Sequence, residues 1–287
     1  MHNTIINSTI QSFKATILNK IRIRIIILTM VILILYSITN INKFGLNFSI
    51  YNFVIFILNN PLNVTFIFTT CFLLLIIDLG NFKSNEAFCI LRCGSRLNWY
   101  ISKVLCIGIS AVFFNLLVVF LIFISGIMKF SIKNSWDSNI VLLSSTDHNF
   151  NIALNISKEL LVAFSPLKSV IVSIGLLTLY LIVVGLLNFI INAIAKNNAV
   201  GFLSVEVIIF LSLIIYKKEL LYNNLIKFIL IKNALLQEHT FNNINFLSTL
   251  LFSFLYFLMI VIILKFIGFA LFKRIDLDNK TKIDSYK

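Results

Sequence analysis

The sequence predicts an all-α polytopic membrane protein, and three observations carry that prediction. Of the 287 residues 59% are hydrophobic and 12% charged, whereas a soluble domain has about a quarter charged. Mean hydropathy is +0.99. Two prolines and nine glycines interrupt the apolar runs, which reach the roughly twenty residues a helix needs to cross a bilayer core. The runs lack the alternation of barrel strands, and open sheet cannot face lipid, so the spans are helices.

Six stretches qualify as spans: 25–41, 62–79, 104–127, 169–193, 199–216 and 246–272. Ile21 and Ile23 extend the first, which is otherwise short. Before it, Ile10, Phe13, Ile17 and Ile21 recur at spacings of three and four, so 9–24 reads as an amphipathic elbow helix along the inner leaflet. With both termini inside, the inner segments hold 14 Lys and Arg in 68 residues and the outer segments 9 in 90. That bias has the sense expected of cytoplasmic flanks. It also accounts for the net charge of +13 through anionic headgroups rather than nucleic acid.

Two outer segments are more than loops. Residues 44–58 are apolar but too short to span, which favours a buried or re-entrant piece over a seventh span. In 217–245, Leu221, Leu225, Phe228 and Ile229 are interspersed with Lys217, Lys218, Lys227 and Lys232. That pattern reads as a re-entrant or interfacial helix before the last span.

Several chemistries are excluded. No glycine pair fits GxxxxGK[ST], so the chain does not hydrolyse ATP by that route. His2, His148 and His239 are far apart in sequence, which leaves no HExxH or metal-ligand pair, and GxSxG is absent. The sequence therefore offers no catalytic residue and no metal site. The intramembrane charges are few: Asp78 at the end of the second span, and Glu206 and Lys265 deeper in the last two. The matching depth of Glu206 and Lys265 suggests an ion pair; the other reading is that Lys265 snorkels and Glu206 takes up a proton.

The densest mixed-charge stretch, NEAFCILRCGSRLNWYISK (85–103), lies between the second and third spans. Ala87, Phe88, Ile90 and Leu91 suit a short helix, Gly94 a stop and Ser95 the cap of the next helix. Arg92, Arg96 and Lys103 leave exposed basic surface. An interfacial belt explains Trp99, Tyr100 and Lys103, but not Glu86 or the Gly-Ser-Arg turn. The segment reads instead as a docking element for a cytoplasmic partner.

With these features together, the chain resembles the membrane subunits of type-2 ABC export permeases, in particular a small bacterial branch found with peptide or bacteriocin-immunity transporters. The resemblance rests on the elbow, the six spans, the Glu-bearing inner helix, the Gly94-Ser95-Arg96 turn, Lys103 and the outer element 217–245. It implies one transmembrane domain over 1–287, with 80–103 as the coupling region. Glu86 and Phe88 would enter a cleft of an ABC ATPase subunit, flanked by Arg92, Gly94, Ser95, Arg96 and Lys103. Where the family often has Arg-Glu-x-Gly-Thr, this chain has Asn85-Glu86-Ala87-Phe88-Cys89, keeping only the Glu. The resemblance further implies a second copy or a related permease as partner, ATP and Mg held by the ATPase, and no cofactor in this chain. A hydrophobic or amphipathic peptide, lipid or drug would be the cargo. Heavy use of Ile, Phe, Asn and Lys adds an AT-rich bacterial source, hence a bacterial cytoplasmic membrane. The alternatives are a non-transporting immunity or sensor protein, or an ATP-independent transporter or channel.

Overall fold

The computed structural model describes residues 2–17, 19–43, 48–79, 90, 93–137, 140–141, 156–217, 228–239 and 246–274. Among them five helices are long and apolar enough to span a membrane: α2 (Lys20–Lys43), α5 (Arg96–Gly126), α7 (Pro166–Ala195), α8 (Asn198–Lys217) and α10 (Phe246–Arg274). A bent pair, Ile50–Leu58 (α3) and Asn63–Ile76, which meet at 73°, makes a sixth if the two count as one broken span.

The N-terminal helix α1 runs from His2 to Ile17, and α2 starts afresh at Lys20. The expected elbow over 9–24 is thus displaced and divided. Asn19 causes the division: its backbone carbonyl accepts from Ile23 N at 3.2 Å and its Oδ1 faces Arg22 N at 3.4 Å, which makes it the cap of α2. The isoleucine face of α1 is not its packed face. Ile6 and Ile10 are exposed while Thr9 and Thr16 are buried. Ser8 meets Ser102 at 3.1 Å, and the Thr9 hydroxyl donates to the Ser102 carbonyl at 3.3 Å. The hydroxyl stripe therefore docks α1 on the start of α5 and leaves the isoleucines for lipid.

Ser49 caps α3, which buries every residue but Tyr51. Nine residues reach only about 14 Å, so α3 alone is too short to span. The chain turns at Asn60, whose Oδ1 accepts from Leu62 N at 2.9 Å. It continues through a π-helical turn, Asn63–Phe68, into α4 (Thr69–Ile76).

At the centre of the bundle stands α7, with α3, α4, α5, α8, α9 (Leu230–Ala234) and α10 packed around it. Glycine permits a close approach of α5 to α7: a Cβ on Gly185 would stand 2.6 Å from Ile107 Cγ2. A short helix, α6 (Lys158–Ala163), precedes α7, and Lys196, in the left-handed region at φ 52°, turns α7 into α8.

Of the outer element 217–245, Lys217 ends α8 and the other described part is 228–239. Leu221, Leu225, Lys218 and Lys227 lie outside the described residues. Rather than resting on the surface, α9 and the 3₁₀ turn Leu236–Glu238 fold into the bundle, with Ile231, Leu235 and Leu236 fully buried. Leu236 N donates to Asn59 Oδ1 at 3.1 Å, and Asn59 Nδ2 faces Ser173 at 3.4 Å, so backbone away from the helices finds polar partners within the protein. The part described is packed into the bundle rather than laid on its surface.

Candidate functional site

The start of α5 is built by two residues. Gly94 sits at φ +72°, where a side chain would cost about 1–2 kcal/mol. Ser95 caps α5, its Oγ accepting from Asn98 N at 3.2 Å. Asn98 Nδ2 closes the turn on the Cys93 carbonyl at 3.1 Å. Arg96 is the first residue of the helix and half-buried. Glu86, Phe88 and Arg92 lie outside the described residues.

Lys103, expected on an exposed basic surface, is buried, with its Nζ 5.5 Å from the centre of the Trp99 ring. A cation over an indole face is stabilised by the ring quadrupole. Nor do Trp99 and Tyr100 form a headgroup belt: both are at most 3% exposed. They pack with Phe189 and Phe272, the Tyr100–Phe272 and Phe189–Phe272 centroids 5.2 and 5.1 Å apart. The Tyr100 hydroxyl donates to the Lys265 carbonyl at 3.0 Å. It passes so close to Gly268 that a Cβ there would stand 2.9 Å from the Tyr100 ring. The head of α5 is therefore fastened to both α7 and α10.

Beside this junction a cleft of about 730 Å³ opens between α1 and the ends of α4 and α5, lined by Ser8, Gln11, Thr16, Asp78, Cys93 and Lys103. Arg22 and Asp78 form an ion pair at 2.7 Å that ties the start of α2 to the chain following α4. One side of the bundle thus gathers α1, the starts of α2 and α5 and the end of α10 around residues 93–103.

Glu206 and Lys265 do not meet. Glu206 on α8 faces α4, hydrogen-bonded with Thr70 and close enough to Cys71 and Tyr180 to act on them electrostatically. Lys265 on α10 lines a groove with α5. Both helices pack against α7, which stands between them, so equal depth did not mean equal azimuth. In place of the ion pair there is a polar cluster inside the bundle: Thr69 Oγ1 meets the Tyr180 hydroxyl at 2.9 Å, and Thr29 meets Cys71 Sγ at 3.2 Å. Glu206 Oε1 is buried without a partner. The cluster follows directly on the π-helical turn, a feature often found at functional positions. Sequence reading overlooked Thr69, Thr70 and Tyr180; the available signal was a Tyr and paired Thr within otherwise apolar spans.

A second overlooked network lies on the far side. His239 Nε2 is 2.7 Å from Ser253 Oγ, which donates to Asn233 Oδ1 at 2.6 Å, while Nδ1 is 3.0 Å from the Leu235 carbonyl. Burial pushes the His239 pKa down.

The chain was compared with protein-family models, with curated proteins and with solved structures, and none of them matches it.

Proposed function

We propose that the chain is the membrane subunit of an ATP-driven exporter of the type-2 ABC kind, set in a bacterial cytoplasmic membrane with both termini inside. A separate cytoplasmic ATPase docks at 85–103, and two such membrane subunits, identical or related, form the working unit. The cargo is a hydrophobic or amphipathic molecule.

The observation that supports this reading is the junction at Gly94 and Ser95. It sets the start of a 31-residue helix next to α1 and close to the Arg22–Asp78 ion pair. A push on the segment before Gly94 reaches α5 as a lever and meets α7 and α10 through Trp99 and Tyr100. Two packed arrangements of such a bundle, biased by the nucleotide state of a docked subunit, are what alternating access requires.

The test is co-purification from the chain's own host in mild detergent. A soluble ATPase retained by the wild type and lost in Glu86→Lys, with membrane insertion intact, is expected. A chain that arrives alone, or a Glu86→Lys variant that still holds the ATPase, refutes the reading.

The cluster around Glu206 favours a second reading, an ion-coupled transporter working without ATP, because intramembrane carboxylates mark ion and proton routes. In that case Glu206→Gln would abolish transport driven by an ion gradient in vesicles free of any ATPase.

A further inference from the structure

We infer that the groove between α5 and α10 seats one acyl chain of an acidic phospholipid, with the lipid's phosphate against Lys265. Two adjoining hollows, of about 590 and 360 Å³, share Val104, Leu105 and Lys265. Leu105 and Val112 of α5 form one wall, Leu258 and Ile262 of α10 the other, and Leu179 of α7 lies in the floor. The groove is open at Gly108 of α5, where a Cβ would meet nothing within 4 Å.

From Val104 to Leu116 the groove follows thirteen residues of α5, about 18 Å end to end at 1.5 Å per residue. That is close to one leaflet's share of a ~30 Å hydrocarbon core. Tyr100 and Gly268, pressed together, narrow its end nearest the start of α5.

Lys265 supplies the chemistry. It lies nine residues before Arg274, the end of α10, so its Cα is roughly 14 Å from that end and its stem leads the ammonium toward the headgroups. Among the described residues no carboxylate is available to it: α5, α7 and α10 contain neither Asp nor Glu, and no described acidic side chain is within ion-pair distance. An anionic phosphate satisfies that cation. A second copy docked face to face would not, because its own α5, α7 and α10 would bring another Lys265 and no counter-charge. This inference holds whether or not an ATPase docks at 85–103.

The test uses the purified full chain in nanodiscs carrying trace phosphatidylglycerol or phosphatidylcholine with the same diazirine-labelled acyl chain, followed by peptide mapping after photolysis. Phosphatidylglycerol should label 104–116 and 258–265 above phosphatidylcholine. Lys265→Gln should lower that labelling about fivefold, and Lys265→Arg should restore it. Gly108→Leu should block the groove without a clash, and the monodispersity of each variant shows that it folds. Equal labelling by both lipids, or labelling unchanged in Lys265→Gln, overturns the inference. So does a cross-link through Gly108→Cys to a second copy, which would make the groove a protein interface.

Discussion

Replacing Gly185 by alanine tests whether α4, α5 and α7 are packed as closely as the structure has them. The added methyl would stand 2.6 Å from Ile107 Cγ2 on α5, and 3.1 Å from both Ile76 Cδ1 and Phe72 Cε1 on α4. Relief toward one neighbour tightens the contact with the other, so the strain cannot be shed by one rotamer change. Overpacking of this kind costs about 1–3 kcal/mol. Against it stands the helix preference for Ala over Gly, about 0.8–1.0 kcal/mol. Gly108→Ala is the control: it carries the same preference with nothing within 4 Å of the new Cβ. The two variants should therefore differ by the overpacking alone, about 1–3 kcal/mol, with Gly185→Ala the less stable. The assay is the fraction remaining monodisperse in mild detergent after heating through a temperature series. If Gly185→Ala survives as well as Gly108→Ala, the helices are not in contact at Gly185, and the central place of α7 is wrong.

Three further outcomes are expected. Tyr180→Phe removes the 2.9 Å contact with Thr69 and should cost about 0.5–1.5 kcal/mol in the same thermal assay, while Thr69 keeps its bond to the Val64 carbonyl. Gly94→Ala places a side chain at φ +72° and should cost about 1–2 kcal/mol; it should also weaken ATPase co-purification more than Gly108→Ala does. His239 gives the pH dependence. Burial, and Lys232 behind it, lower its pKa from the ordinary 6.5, against the opposing pull of the Leu235 and Leu236 carbonyls. Below about pH 6.5 the unfolded chain then binds more protons than the folded one. Thermal stability should hold above pH 7, fall as pH drops through 6.5, and level off below the folded pKa. His239→Gln should flatten that slope.

The spans were legible because length and apolarity alone define them: 169–193 became Pro166–Ala195, and 199–216 became Asn198–Lys217. The local grammar of the junction was also legible, since Gly94 and Ser95 act through their own backbone and hydroxyl. Azimuth was not legible. A helix apolar on all sides gives no periodic sign of which face meets protein and which meets lipid, so Glu206 and Lys265 were matched by depth and turned out to face different neighbours. Nor was it legible that Thr9 and Thr16 would be the residues of α1 that meet the bundle. The burial of Trp99, Tyr100 and Lys103 was hidden in the same way: a headgroup belt is the reading set aside for them and Lys103 is expected on exposed basic surface, yet all three are buried. Amphipathicity names two faces but not their partners. In a membrane the apolar face goes to lipid, and small hydroxyl side chains pack between helices.

The most direct test of the exporter reading is photo-cross-linking from the head of α5. A photoreactive amino acid would replace Arg96 in one variant and Phe120, which is 62% exposed and farther along the same helix, in another. Both would be irradiated in the chain's own host and their adducts identified. Docking at 85–103 predicts a covalent adduct with a soluble ATPase from position 96 and none from position 120. Adducts from position 96 with lipid or with this chain alone would contradict it, and would leave the Gly94–Ser95 junction as a fastening of the bundle rather than a coupling point.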